Sequence, residues 1–120
     1  MKKLIFVFFS MLILGGCSAD SYQTISSEKA LEMMEDNQVK VIDVRTSEEF
    51  AGGHIPNATL IPLDQLEEMQ SELDKNNKYI LVCRSGNRSA TASTLLKEKG
   101  FKEVYNLSGG MNEWTGQVIK

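Results

Sequence analysis

One cysteine of this chain is followed by residues that suit anion chemistry. The segment after Cys83 reads Arg84, Ser85, Gly86, Asn87, Arg88, and a helical pattern begins at Ser89. Backbone N–H groups in a tight loop converge on an anion, and the helix N-terminus adds partial positive charge. Gly86 permits positive φ or a close approach, while Arg84 and Arg88 contribute two cations. This setting favours a thiolate, the nucleophilic form of cysteine. The alternative is a buried, inert cysteine beside two solvated arginines.

The other cysteine, Cys17, closes an N-terminal segment typical of secretion. A basic start is followed by an apolar run over residues 4–14, which is too short for a comfortable membrane span. Two glycines then precede Cys17, and this arrangement resembles the bacterial lipobox. The resemblance implies a signal peptide over 1–16, a lipidated tether over 17–23 and attachment to the extracytoplasmic face of the cell membrane through lipid on Cys17. An ordinary secretory signal or an uncleaved anchor helix is the alternative.

Composition narrows the remaining possibilities. The chain has 120 residues, enough for one compact domain, with 42% hydrophobic and 24% charged residues. If Cys17 carries lipid, Cys83 is the only thiol, so no internal disulfide is expected. One histidine and two cysteines are too few for a structural zinc site, and no metal is expected. The net charge of -3, without a basic cluster, argues against nucleic acid as a partner.

The elements that must position Cys83 alternate along the chain. Apolar runs predict buried strands over 39–44, 58–61, 79–82 and 103–106. Four helices are predicted from their N-terminal residues: the first begins at Ser26 and Ser27, the second at a capping box of Thr46 with Glu49, the third at an Asp64 cap and the fourth at Ser89. A last helical turn is expected over 111–115. The alternation predicts an α/β fold with a mostly parallel sheet and helices on both faces. Ligands bind at the carboxyl ends of such strands, where Asp43, Arg45 and the Cys83 loop would meet.

Several motifs in this order resemble those of a known family. The loop from Cys83 to Ser89 resembles the active-site loop of single-domain rhodaneses. Two upstream segments are similar to the signature of that family: Asp43-Val44-Arg45 and the stretch containing Glu49-Phe50 and Gly53-His54-Ile55-Pro56-Asn57-Ala58. The C-terminal signature is matched by Leu107-Ser108-Gly109-Gly110-Met111 and Trp114. The resemblance covers roughly residues 24–114 and implies a rhodanese-like domain over 24–120.

The resemblance also implies a two-step sulfur transfer that needs no cofactor. The Cys83 thiolate would attack the outer sulfur of thiosulfate, release sulfite and become a persulfide. Cyanide or a thiol, or an unidentified protein acceptor, would then remove the sulfur. The amides of residues 84–89 would hold the persulfide, and Arg84 and Arg88 would attract the donor. Asp43 and Arg45 would form a supporting ion pair, for which a structural salt bridge is the alternative. His54 is expected to organise its turn rather than to catalyse.

Other functions fit the cysteine loop less well or equally well. Cysteine phosphatases of similar fold place five residues between cysteine and arginine, whereas four separate Cys83 from Arg88. Arsenate or disulfide reduction would require a resolving cysteine, which the chain lacks. A module that carries persulfide sulfur or senses reactive sulfur, with little turnover, fits the same loop. An interaction domain with an inert Cys83 is the remaining alternative.

Overall fold

The structure is a computed structural model that describes residues 21–120. The predicted signal peptide, Cys17 and most of the predicted tether therefore lie outside the described residues. The strands are β1 (Gln23–Ile25), β2 (Val39–Asp43), β3 (Thr59–Leu60), β4 (Lys78–Val82) and β5 (Glu103–Leu107). The helices are α1 (Ser27–Met33), α2 (Ser47–Ala51), α3 (Leu63–Met69) and α4 (Asn87–Glu98), with short 3₁₀ turns at Gln70–Glu72 and Gly110–Asn112.

The five strands form one parallel sheet in the order β1-β5-β4-β2-β3. Asp43 of β2 is in register with Val82 of β4, and Leu81 of β4 is in register with Asn106 of β5. Because all strands run in the same direction, the ends of β2, β4 and β5 lie side by side. Cys83, Arg45 and Asn106 therefore come to one edge of the sheet.

Apolar side chains cover both faces of the sheet, which confirms the predicted α/β fold. One cluster joins Ile42 and Leu81 of the sheet to Leu66 of α3 and Leu96 of α4. The second, on other sheet residues, contains Ala30 of α1 and is completed by the C-terminal segment. Most of the buried side chains are aliphatic, so burial of apolar area stabilises this framework beneath the cysteine loop.

Several local predictions hold and others need correction. The capping box is confirmed, since Thr46 Oγ1 accepts the Glu49 N–H at 3.2 Å and the Glu49 carboxylate accepts the Thr46 N–H. Asp64 does not cap α3, because that helix begins after Pro62 without a side-chain cap. The strand predicted over 58–61 is reduced to β3, an edge strand whose Thr59 is exposed.

Three further boundaries differ from the sequence-based prediction. β1 is absent from the prediction because only Ile25 of its three residues is buried, which leaves no periodic pattern. α4 begins two residues early, at Asn87, because Gly86 supplies the turn that precedes the helix. The last turn is a 3₁₀ turn at Gly110–Asn112 rather than a helix over 111–115. Within residues 21–120, every helix is too short or too polar to cross a membrane.

Candidate active site

Cys83 lies directly after β4, at the bottom of the loop that leads into α4. Its side chain is only 1% exposed. The sulfur accepts the backbone N–H of Gly86 at 3.0 Å and faces the hydroxyl of Ser89 at 3.3 Å. Gly86 adopts φ +105° and ψ -7°, a conformation that side chains disfavour, and this turn directs its N–H towards the sulfur. The loop is thus a cradle of neutral donors around one sulfur atom.

These donors change the acidity of the thiol. Burial raises the pKa of Cys83, because a charged sulfur loses hydration in the interior. The Ser89 hydroxyl and the backbone N–H groups of Ser89, Gly86 and Ser85 oppose that effect and hold the pKa of Cys83 below its ordinary value. The arrangement therefore favours a thiolate, and hydrogen bonds to neutral groups supply the stabilisation.

A buried asparagine that was not predicted from the sequence holds two residues of this cradle in place. Asn106 of β5 accepts the Ser89 hydroxyl at Oδ1, 2.5 Å away, and donates from Nδ2 to the Gly86 carbonyl at 3.2 Å. The single hydroxyl hydrogen of Ser89 is thus divided between Asn106 and the Cys83 sulfur. The only sequence signal for Asn106 is that it is a polar residue among the apolar positions of β5, and this does not indicate which residue it contacts.

The Gly109-Gly110 segment packs against the backbone of the cysteine loop. The N–H of Met111 donates to the Cys83 carbonyl at 2.8 Å, and the N–H of Asn112 donates to the Arg84 carbonyl at 3.0 Å. A Cβ on Gly110 would collide with the Cys83 carbonyl oxygen and lie 2.7 Å from the Arg84 carbonyl carbon. The absence of a side chain at Gly110 is therefore what lets the 3₁₀ turn close over the loop.

Asp43 and Arg45 form a closed, buried ion pair beside the loop. Arg45 Nε and Nη2 donate to the Asp43 carboxylate at 2.8–3.1 Å, and Nη2 also donates to the Gly53 carbonyl at 2.8 Å. Both side chains are less than a tenth exposed. The pair ties the end of β2 to the turn after α2. The supporting role predicted for it stays a prediction, since none of these contacts reaches the Cys83 sulfur.

The two arginines of the loop differ in their partners. Arg88 donates from Nη1 and Nη2 to the two Glu49 carboxylate oxygens, at 2.7 and 2.9 Å. The hydrogen bonds from Arg88 lower the pKa of Glu49 from 4.5 to about 2, and the same bonds raise the pKa of Arg88. Arg84 is exposed, and its side chain makes no hydrogen bond or ion pair with residues 21–120. Arg84 is the unpaired cation, whereas the positive charge of Arg88 is balanced.

Ser85 and Asn87 lie in the cysteine loop and His54 lies in the turn after α2, and the roles predicted for the two loop residues stay predictions. Ser85 and Asn87 are exposed, and Asn87 is the first residue of α4. His54 Nδ1 donates to the Phe50 carbonyl at 2.9 Å, and its ring stacks on Phe50 at 3.7 Å. These contacts fit a residue that organises its turn. A shallow cleft of about 290 Å³ opens beside the loop, with Arg45, Glu49 and Arg84 in its wall.

Comparison with known proteins places this geometry in a family. The family described as Rhodanese-like domain matches residues 26–117. The Bacillus subtilis protein named "Putative sulfurtransferase YtwF" is 43% identical over 95 residues, which are 78% of this chain and 91% of that protein. Another Bacillus subtilis protein, named "Putative sulfur carrier protein YrkF", is 38% identical over 84% of this chain. The chain spans only 55% of the length of YrkF.

A solved structure agrees with these matches. The crystal structure of a rhodanese-related protein from Thermoplasma volcanium superimposes with a TM-score of 0.75 at 32% identity. The match covers 82% of this chain and 98% of that one. The family match over residues 26–117 includes strands β2 to β5 and the cysteine loop. The parallel sheet, the cysteine loop at its edge and these relatives together show that the chain belongs to the rhodanese-like sulfurtransferase family.

Proposed function

We propose that this protein is an enzyme of the thiosulfate sulfurtransferase type. It would move sulfane sulfur from thiosulfate, or from a related donor, to a thiophilic acceptor through a persulfide on Cys83. The observation that carries the proposal is the Cys83 sulfur itself, which faces the Gly86 N–H at 3.0 Å and the Ser89 hydroxyl at 3.3 Å. These donors stabilise a sulfur anion, and both the attacking thiolate and the persulfide are sulfur anions.

The two steps balance without a further reactant. In the first, the Cys83 thiolate forms a bond to the outer sulfur of thiosulfate, and the sulfur–sulfur bond of the donor breaks. Sulfite leaves with the electron pair, and the terminal sulfur of Cys83 carries the negative charge. In the second, a thiolate or cyanide attacks that terminal sulfur, and Cys83 leaves as the thiolate again. The product is an acceptor persulfide or thiocyanate, and the loop amides hold the charge throughout.

A persulfide carrier is the second candidate, and one finding favours it. The relative YrkF is named as a sulfur carrier, and it is 38% identical over 84% of this chain. In that role the loaded Cys83 would wait for a protein acceptor instead of turning over with small molecules. Burial of the sulfur suits storage, since water and oxidants reach a buried sulfur slowly.

One pair of measurements separates these roles. Steady-state formation of thiocyanate from thiosulfate and cyanide measures turnover, and mass spectrometry after a single incubation measures loading of one sulfur atom. The enzyme gives both signals, and the carrier gives loading with little turnover. Cys83→Ser should lose both, because an alcohol is a far poorer nucleophile at neutral pH. A Cys83→Ser protein that is correctly folded and still loads sulfur would exclude both candidates.

We also propose that lipid on Cys17 anchors the protein to the extracytoplasmic face of the cell membrane. The support is the sequence: an apolar run over 4–14 followed by two glycines and Cys17. Lipid chains contribute about 0.8 kcal/mol per buried CH₂, so two or more chains hold a domain firmly at a bilayer. Mass spectrometry of protein extracted from membranes would read the lipid mass on Cys17 and the sulfur on Cys83 in one sample.

A further inference from the structure

Charge around the candidate active site is almost fully balanced by carboxylates. Of the three arginines near Cys83, Arg45 is paired with Asp43 and Arg88 is paired with Glu49. Arg84 alone has no partner among residues 21–120. A thiolate on Cys83 would balance that last charge. A donor with two negative charges therefore enters a site that has no net positive charge left to attract it.

Glu49 is the residue whose charge decides this balance. Its two carboxylate oxygens accept from Nη1 and Nη2 of Arg88 in a two-point ion pair, and both partners are only about a third exposed or less. Arg88 directly precedes Ser89, whose hydroxyl lies 3.3 Å from the Cys83 sulfur, so the charge of Arg88 lies close to the reacting atom. Without the carboxylate, Arg88 would offer a full positive charge to an incoming anion.

We propose that Glu49 determines donor specificity: by neutralising Arg88 it disfavours dianionic donors such as thiosulfate relative to monoanionic or uncharged sulfane-sulfur donors, such as organic thiosulfonates and persulfides. The proposal rests on the sulfur transfer proposed for Cys83 and adds the class of donor. Glu49 acts through Arg88, so it is a positioning and charge-balancing residue rather than a catalytic one. Its effect must therefore scale with the charge of the reagent that attacks or is attacked at Cys83.

Three reagents with different charges test this scaling on the full chain. Iodoacetamide is uncharged, methanethiosulfonate carries one negative charge, and thiosulfate carries two. Both sulfur donors react alike: the Cys83 thiolate takes the outer sulfur, and sulfinate or sulfite leaves with the electron pair. The measured quantity is the second-order rate of Cys83 modification, followed by mass spectrometry, which applies to an enzyme and to a carrier alike.

Glu49→Gln is the informative variant because glutamine keeps the structural role of the side chain. The capping box with Thr46 accepts either glutamate or glutamine, so α2 should be retained. A unit charge acting across a partly solvated site changes each rate by about threefold per unit of donor charge at low salt. At a pH where Cys83 is already a thiolate, we expect little change with iodoacetamide, about threefold acceleration with methanethiosulfonate and about tenfold with thiosulfate, on the same scaling. Added salt should shrink these factors.

Two controls make the outcome specific to the ion pair. Glu48 is exposed and lines the same cleft, so Glu48→Gln removes an equal charge from the cleft while the pair between Arg88 and Glu49 stays intact, and its effect should be smaller because solvent screens an exposed charge more strongly. Adding Arg88→Met to Glu49→Gln removes both members of the ion pair and restores the wild-type net charge, so the double variant should return to the wild-type ratio of the thiosulfate rate to the methanethiosulfonate rate.

Each outcome supports or overturns the inference. The inference is supported if the Glu49→Gln rates rise with donor charge and the rise is cancelled in the Glu49→Gln/Arg88→Met double variant. Equal factors for all three reagents, or an equal effect of Glu48→Gln, overturn the specificity role and leave sulfur transfer intact. If iodoacetamide modifies wild-type Cys83 but neither sulfur donor does, the proposed function itself fails, and the inference fails with it.

Discussion

Gly86→Ala should lower the reactivity of Cys83, and the same substitution at Gly100 separates this effect from a general loss of stability. Gly86 adopts φ +105°, and the nearest atoms to an added Cβ would be Gly109 N at 3.5 Å and Leu107 O at 3.7 Å. The methyl group therefore fits in the available space, and its cost is backbone strain of about 1–3 kcal/mol. The chain can relieve this strain by rotating the Gly86 peptide, which withdraws its N–H from the Cys83 sulfur.

The expected loss of reactivity follows from that one hydrogen bond. A hydrogen bond to a charged group contributes about 1.5–3 kcal/mol. Its removal lowers the ratio of thiolate to thiol at any given pH by about tenfold or more, since 1.36 kcal/mol corresponds to one factor of ten. The rate of Cys83 alkylation by iodoacetamide against pH measures the fraction directly. The inflection should move to higher pH in Gly86→Ala, and sulfur loading should fall with it.

Gly100→Ala is the matched control. Gly100 follows α4 at φ +93°, and nothing lies within 4 Å of an added Cβ. The Gly100→Ala protein should therefore lose about as much stability in urea unfolding as Gly86→Ala, through backbone strain alone, while the rate of Cys83 alkylation stays at the wild-type value. The reasoning is refuted if Gly86→Ala loses stability but keeps the wild-type alkylation profile. In that case the Gly86 amide does not stabilise the thiolate, and the other donors of the loop are sufficient.

Three more outcomes follow from the same contacts. Cys17→Ala should leave the processed protein out of the membrane fraction, because the lipid would be its main anchor; retention there would contradict the proposal. Gly110→Ala should destabilise the protein more than Gly86→Ala in urea unfolding, because the added Cβ would collide with the loop backbone and the positive φ would also be strained. The ion pair of Glu49 with Arg88 should stabilise the fold fully above pH 4.5 and lose its contribution as pH falls towards about 2. Wild type should accordingly lose more stability than Glu49→Gln over that interval in urea unfolding, and equal losses would count against the pair.

The sequence predicts the parts of the site that are local. The Cys83 loop, the turn at Gly86 and the helix after it are consecutive, so residue types alone indicate a cradle at a strand end. The capping box of Thr46 with Glu49 spans three residues and is visible for the same reason. The parallel order of the strands follows from the alternation of strands and helices, which leaves few other arrangements.

Contacts between distant segments escape this kind of prediction. Glu49 and Arg88 are 39 positions apart, and Ser89 and Asn106 are 17 apart. The residues of each pair come into contact only because the sheet brings separate segments to one edge, and the hydrophobic periodicity of the sequence does not indicate such contacts. The same holds for Gly110, whose close approach to the Cys83 carbonyl depends on how the C-terminal turn packs.

The long-range contacts also change the physical explanation of the thiolate. Two arginines in the loop suggest that positive charge lowers the pKa of Cys83. The structure assigns that effect to the Ser89 hydroxyl and the amides of the loop, which outweigh the cost of burial. Arg88 contributes little net charge because Glu49 balances it. Neutral dipoles act at hydrogen-bond distance and stabilise charge on the cysteine sulfur, whereas attraction of an anion from solution over longer distances depends on net charge. Activation of the nucleophile and attraction of the donor thus depend mainly on different groups, and a change in Glu49 should alter the attraction of the donor more than the activation of Cys83.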